Sequence, residues 1–395
     1  MLKRIYVNNF KSLVNTRIDL KPMTLFLGRN GAGKSAVFEV VSRIRDFLGN
    51  QGRVLDVFPS STVTKWLDSD IQGFRITFEG NGGEYVYGLS VEHNPEQEQA
   101  RVLEEKLEFD GKPLFGFSRG EVQLYRDDHS EGPSFTLDWE RSGLASVLAG
   151  ADNKKLVWFR DVFSRIIVAQ LIPPLMESSS EKENEQPDRH CRDFVSWYRA
   201  MFQEYTHSGQ QVFDDLKSVM PGFSRANLVS EGKRQRALEV VVESAEAGHE
   251  RSGRFSDDDS SGSPISVLTG APLSSERSYR FSDLGDGERA LFVLYSLLRF
   301  QAARGAPLLI DEPGNYLGVR ELQPFLQDAE DQTIDAEESQ VILISHHPKI
   351  INFLATSAGK VFRRSAGGPT NVEDYERSGD EPLTVAEKME MGDLE

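Results

Sequence analysis

Residues 23–35 read Met23-Thr24-Leu25-Phe26-Leu27-Gly28-Arg29-Asn30-Gly31-Ala32-Gly33-Lys34-Ser35. Met23–Leu27 is a compact apolar run closed by a glycine, the pattern of a strand buried on both faces of a parallel sheet. Gly28–Ser35 satisfies the spacing GxxxxGK[ST] at every position. Beyond Ser35 the apolar residues fall at Val37, Val40, Val41, Ile44, Phe47 and Leu48, a helical spacing, and Gly49 stands where such a helix stops. A strand, a glycine-rich turn and a helix in this order build a concave anion site. The glycines let the backbone curl so that successive N–H groups point inward at phosphate oxygens. Lys34 places a point charge beside β- and γ-phosphates. Ser35 offers a hydroxyl to Mg²⁺, and the helix adds its positive N-terminal end. The expected contacts run through Asn30, Gly31, Ala32, Gly33, Lys34, Ser35 and Ala36.

Three later stretches extend this chemistry. Leu308-Leu309-Ile310-Asp311-Glu312 is a buried strand ending in two carboxylates, which is costly unless they handle a cation or water. Asp311 is expected to hold Mg²⁺ through water. Glu312, one residue on and pointing the other way, is expected to orient or deprotonate an attacking water. Ser345-His346-His347-Pro348 follows the strand Val341–Ile344, and a histidine there can sense a γ-phosphate. Phe281-Ser282-Asp283-Leu284-Gly285-Asp286-Gly287-Glu288-Arg289 opens a long apolar helix, a second helix end able to hold an anion. In an open parallel sheet, ligands gather at the C-terminal strand ends.

The rest of the chain supplies scaffold. Ile5–Val7 and Thr16–Leu20 read as short strands. Residues 70–140 alternate apolar runs with turns such as Gly80-Asn81-Gly82-Gly83 and Asp110-Gly111, an antiparallel meander. Leu156–Phe163 reads as a helix, Arg165–Ile172 as a buried strand and Val240–Val242 as another. Phe194, Trp197, Tyr198, Met201, Phe202 and Tyr205 form an aromatic stripe with the spacing of a core helix. Arg289–Arg304 reads as a helix, and Thr384–Glu387 as the capping box of a last short one. Ser178–Asp188 and Ser244–Pro264 are polar enough to be mobile exposed loops.

Composition narrows the function classes. The 395 residues are 38% hydrophobic and 27% charged, enough for a sizeable core. A net charge of −17 repels nucleic-acid phosphates over most of the surface. The short basic run Lys233-Arg234-Gln235-Arg236 leaves a local nucleic-acid contact open. One cysteine, Cys191, forms no internal disulfide, and no Cys/His cluster has metal-ligand spacing. There is no signal-peptide pattern and no apolar run of about 20 residues, so a cytoplasmic protein that does not enter a membrane is expected.

In their order these elements resemble the ABC-type ATPase head of the RecF/SMC/OLD-like group, often described as AAA-family ATP-binding proteins. Asn9-Phe10-Lys11-Ser12-Leu13 is similar to that group's N-terminal NFKS strand end, which implies a place for Lys11 near the nucleotide. Leu284–Arg289 resembles the ABC signature, Asp311–Leu317 the Walker B and D-loop stretch, and Ser345–Pro348 the His switch, which makes His346 the matching histidine. The resemblance implies an α/β fold, an ABC-ATPase head (P-loop NTPase) with a mixed central sheet, an antiparallel β section and a helical insertion. It divides the chain into an N-terminal lobe (1–172), the insertion with its mobile loops (173–268) and a C-terminal lobe (269–395). It further implies ATP and Mg²⁺ as ligands and catalytic roles for Lys34, Glu312 and His346. ATP is then sandwiched between Lys34 of one protomer and Gly285, Asp286 and Gly287 of its partner, giving a homodimer or higher oligomer.

This sequence departs from the pattern in three places. Gly285 replaces a serine that would donate to the γ-phosphate, so contacts across the dimer lean on backbone N–H groups and Arg289. Gly318 stands where relatives often carry histidine, and no glutamine is assigned to the Q-loop. Heptad arms are absent, and the residues after Pro348 are too few for a TOPRIM nuclease. The acidic Asp257–Asp259 reads as a solvated loop. The first functional expectation is therefore a switch that acts on a separate effector, a nuclease or toxin, in anti-phage defence. The alternatives are a non-catalytic assembly scaffold and a RecF-like DNA repair protein.

Overall fold

The computed structural model describes residues 1–49, 52–243, 276–335, 338–376 and 383–392. Strands β1 (Leu2–Asn8), β2 (Thr16–Asp19) and β3 (Met23–Leu27) precede helix α1 (Lys34–Leu48) and the single turn α2 (Val54–Val57). Six strands follow: β4 (Ile71–Gly80), β5 (Gly83–Asn94), β6 (Gln99–Phe109), β7 (Lys112–Ser118), β8 (Glu121–Tyr125) and β9 (Glu131–Thr136). After α3 (Lys154–Ser164), β10 (Ile167–Ala169) and β11 (Ser179–Ser180) come α4 (Phe194–Glu204), α5 (Thr206–Val219), β12 (Phe223–Glu231), β13 (Gln235–Glu243) and β14 (Glu276–Arg280). The C-terminal part holds α6 (Asp286–Ala303), β15 (Leu308–Asp311), α7 (Val319–Asp335), β16 (Val341–Ile344), α8 (Pro348–Ala358), β17 (Gly359–Arg364), β18 (Thr370–Asp374) and α9 (Val385–Met391).

The short apolar runs become the central sheet, in the order β10-β15-β16-β3-β17-β18. Its first five strands are parallel and only β18 runs against its neighbour. Successive side chains on a strand face opposite ways, and both faces are covered. Leu25, Leu27, Ile310 and Leu343 enter one core with α4, α5, α6, α7 and α8. Phe26, Leu309, Ile342, Ile344 and Phe362 enter the other with α1 and the meander. Two-sided burial is why these strands are continuous apolar runs and not alternating ones.

The meander is an eight-stranded antiparallel sheet ordered β2-β1-β4-β5-β6-β7-β8-β9. β1 and β2 belong to it, although β3, only a few residues further along, joins the parallel sheet. A buried glutamine ties the two sheets together. Gln340, just before β16, accepts from the backbone N of Leu2 at 2.8 Å and donates to the carbonyls of Leu2 and Lys21 at 2.8 and 3.1 Å. Inside the meander the fully buried Glu105 accepts from the Tyr87 hydroxyl, the Ser142 hydroxyl and the N–H groups of Gly143 and Leu144.

A third sheet pairs β13 with β12 along one edge and with β11 and β14 along the other. The described part of residues 173–268 is thus two helices and three strands packed on the same core as α6 and α8. Phe194, Trp197, Tyr198 and Met201 are buried there as the helical spacing predicts. Ser178–Asp188 differs from the expected mobile loop. Ser180 pairs with Arg236 in β13, and Asn184 and Asp188 both bond to the Asp193 carboxylate. Hydrogen bonds hold this segment, so its low apolar content is misleading. Ser244–Pro264, including Asp257–Asp259, lies outside the described residues.

Replacing Gln340 by alanine removes the side-chain partner of the buried Leu2 N–H and carbonyl, while the Lys21 carbonyl keeps the Thr24 hydroxyl. The expected loss is about 1–3 kcal/mol, read as a lower urea midpoint at unchanged slope.

Candidate active site

Each parallel strand delivers a loop to the same edge of the sheet. After β3 the chain turns at Gly28, whose φ is +133° and where a Cβ would lie 2.3 Å from the Phe362 carbonyl oxygen. At Gly33, φ +105°, a Cβ would meet the Thr370 hydroxyl at 2.6 Å and the Ser12 hydroxyl at 3.0 Å. Only glycine fits either place. Helix α1 then begins with no side-chain cap and no acidic residue in its first turn. Its leading N–H groups therefore face the cleft without an internal counter-group, the condition for anion binding. Lys34 is 5% exposed. Its ammonium donates to the carbonyls of Gly28 and Arg29, at 2.5 and 3.0 Å. Burial lowers its pKa to about 8, against the pull of Glu312 and Asp311.

Asp311 closes β15 and is 6% exposed. Its Oδ2 accepts from the Ser35 hydroxyl at 3.4 Å and lies 3.7 Å from the Arg189 guanidinium. Strand alternation would send Glu312 to the opposite face, and the structure corrects that expectation. The strand stops at Asp311, and Glu312 takes a left-handed φ of +56°, rare for a non-glycine residue. Its N–H still donates to Ile344 at 2.8 Å, and both carboxylates line one cleft. The Glu312 carboxylate accepts from the backbone N of His346 at 3.1 Å and from the Ser345 hydroxyl at 3.3 Å. Burial raises the carboxyl pKa of Asp311 and of Glu312.

The two neighbouring histidines are separated by geometry. His346 lines the cleft, with Nε2 3.9 Å from Glu312 Oε1. Burial first, and then the Lys34 charge, lower its pKa, which favours the neutral imidazole. His347 turns away and caps α8, its Nδ1 accepting from the N–H of Lys349 at 3.2 Å.

The cleft is about 610 Å³ and is lined by Lys11, Asn30, Gly31, Gly33, Lys34, Ser35, Ala36, Asp311, Glu312 and His346. Lys11 there pairs with Glu39. Ala32 is buried beneath the loop and borders the neighbouring cleft instead. Gly285, Asp286 and Gly287 do not line either cleft. Gly285 is the N-cap of α6, and its N–H already donates to Glu288 at 2.8 Å. Arg289 is held by Asp286 and by the Pro173 carbonyl. The sequence reading missed Gln170 and Arg189, which also line the cleft. It carried a strand through Ile172, whereas β10 ends at Ala169 and leaves Gln170 beside the end of β15. Gln170 N–H donates to the Arg189 carbonyl at 2.7 Å, so the two arrive together.

The donors fit the expected ligands. Ser35 and Asp311 are hard oxygen donors of the kind Mg²⁺ takes alongside phosphates and water, and the open end of α1 with Lys34 suits a triphosphate. Among the described residues no group of three or more His, Cys, Asp or Glu could hold a metal by itself, and no helix is long and apolar enough to cross a membrane.

Comparison with known proteins gives the family and the fold. The family described as "AAA domain, putative AbiEii toxin, Type IV TA system" matches residues 23–352. The chain belongs to this family. Among solved structures, an SMC head bound to the C-winged helix domain of ScpA is similar at 13% identity and a TM-score of 0.55, over 98% of this chain and 99% of that one. The SMC head domain from Thermotoga maritima is similar at 13% identity and a TM-score of 0.48, over 95% and 99%. No curated protein matches the chain. This AAA-domain protein therefore has the fold of an ABC-type ATPase head of the SMC/RecF group.

With a pKa of about 8, Lys34 is mostly charged below pH 8 and mostly neutral above it. A triphosphate bound beside Lys34 would hold the ammonium form, so that binding would take up a proton. The expected uptake is about a tenth of a proton at pH 7 and most of one at pH 8.5. Calorimetry of Mg·ATP binding in buffers of different ionisation enthalpy measures it.

Proposed function

We propose that this chain binds and hydrolyses ATP with Mg²⁺ in the cleft, and that binding closes two copies head to head as a switch for a separate effector in anti-phage defence. The observation that carries the reading is the convergence of Lys34, Ser35, Asp311, Glu312 and His346, from three distant stretches, on one cleft. Bound Mg²⁺ would supply charge neutralisation between the β- and γ-phosphates. Ser35 and Asp311 would hold it, and Gln170 supplies an amide beside them. Lys34 holds the phosphates, and the α1 N–H groups fix their orientation. Glu312 orients the attacking water and accepts its proton, which its raised carboxyl pKa favours. Neutral His346 stands beside Glu312 with a ring nitrogen free for the same water or for the γ-phosphate.

Dimerisation is supported by the position of Gly285–Gly287, outside the chain's own cleft, with Gly285 and Asp286 exposed on the surface. Effector control is supported by the family's description as a putative toxin of a type IV system, and by the ScpA domain bound to the similar SMC head, where a separate protein docks on such a head. A cytoplasmic setting without membrane contact fits the same reading.

One observation favours a slower variant of this function, an ATP-held scaffold with little turnover. The α6 end carries Asp286 and Glu288 in its first turn, and Glu288 already occupies the Gly285 N–H. A partner's phosphate would have to displace it. Direct DNA binding is less well supported. Lys233 and Arg234 sit in the exposed turn between β12 and β13 and do not line the cleft.

The decisive test is Glu312→Gln. It should leave ATP affinity within a few-fold, cut phosphate release about a hundredfold or more, and accumulate an ATP-bound dimer by light scattering. Lys34→Ala should lose ATP binding. Phosphate release equal to wild type in Glu312→Gln would sink the hydrolytic reading, and background release by wild type with intact ATP-driven dimers would select the scaffold.

A further inference from the structure

The cleft that holds Lys34, Ser35, Gln170, Arg189 and the paired acids is also lined by Ser61, Val63, Lys65, Trp66 and Arg364. Glu39, which also lines the cleft, is already engaged by Lys11 and Arg43.

Trp66 is 45% exposed. The Arg364 guanidinium lies over its ring, 5.2 Å from the centroid. Arg364 is itself fixed from behind, donating to the Gly368 carbonyl at 2.9 Å and to the Gly31 carbonyl of the phosphate loop at 3.2 Å. The loop that carries Trp66 is pinned too. Lys11 N–H donates to Thr62 at 2.7 Å, and Thr64 N–H donates to the Asn9 side chain at 3.1 Å. An exposed indole, backed by a cation that also bonds to the phosphate loop, is a π surface in the same cleft as Lys34 and Ser35.

We propose that Trp66, backed by Arg364, is the platform on which the aromatic base of the bound nucleotide stacks. This rests on the reading that the cleft takes a nucleoside triphosphate, and it adds the subsite that separates a nucleotide from bare triphosphate. Stacking uses the face of a base and not its edge, so the platform accounts for affinity and asks for no hydrogen-bonding partner on the base. The cation beneath the ring adds to its grip on the indole.

The test compares Mg·ATP with inorganic tripolyphosphate by calorimetry, on wild type, Trp66→Ala and Trp66→Phe. Wild type should bind ATP more tightly than tripolyphosphate. Trp66→Ala should weaken ATP about tenfold or more and leave tripolyphosphate unchanged, with an unaltered melting curve because the side chain is half exposed. Trp66→Phe should keep most of the ATP affinity, and ATP should quench indole emission in wild type but not in Trp66→Phe. Equal losses for both ligands in Trp66→Ala, no loss for either, or quenching that persists in Trp66→Phe would overturn the platform. A wild type that binds tripolyphosphate as tightly as ATP overturns the platform alone, and one that binds neither overturns it together with the nucleotide reading.

Discussion

The insertion of β3 between β16 and β17 is the constraint on which the rest depends. A strand from the first thirty residues becomes the middle of a sheet whose other parallel members come from residues 167–364. Parallel neighbours must all run the same way, so their C-terminal ends lie along one edge and their loops share it. That register sets Ile344 opposite Phe26 and Asp311 opposite Ile344. Lys34, Asp311 and His346 are therefore brought into one cleft by backbone pairing. Burial of both sheet faces stabilises the pairing, because Leu25 and Phe26 serve different cores.

The acid pair is where local preference yields to that arrangement. An extended strand would point Asp311 and Glu312 apart. The left-handed turn at Glu312 brings them together, against a conformational cost of the order of 1–3 kcal/mol. The N–H of Glu312 still bonds to Ile344, and its carboxylate takes the His346 N–H.

The glycine-marked N-terminal ends of α1 and α6 are not equivalent. At α1 no side chain caps the helix and no acid enters the first turn, so the end is open to an anion. At α6 the chain brings its own carboxylate to the Gly285 N–H, and Arg289 is held within the chain. The same motif language in the sequence thus covers one end prepared for phosphate and one already occupied in the single chain. The difference lies in which neighbouring side chains bend back, a question of tertiary contacts.

The sequence by itself determined the parallel strands, the glycine turn, the helix behind it and the presence of two acids and a histidine after later strands. These depend on local patterns: continuous apolar runs, the GxxxxGK[ST] spacing and polar residues at strand ends. It read the aromatic stripe at 194–205 as core for the same reason. Only the tertiary structure decided that β1 and β2 join the meander while β3 does not, that Ser178–Asp188 is tied down by hydrogen bonds, that Glu312 turns inward, and that Gln170, Arg189, Trp66 and Arg364 enter the cleft. Each of these depends on pairing between segments far apart in the chain, and a periodicity read over ten or fifteen residues carries no information about which distant strand or side chain will be the neighbour.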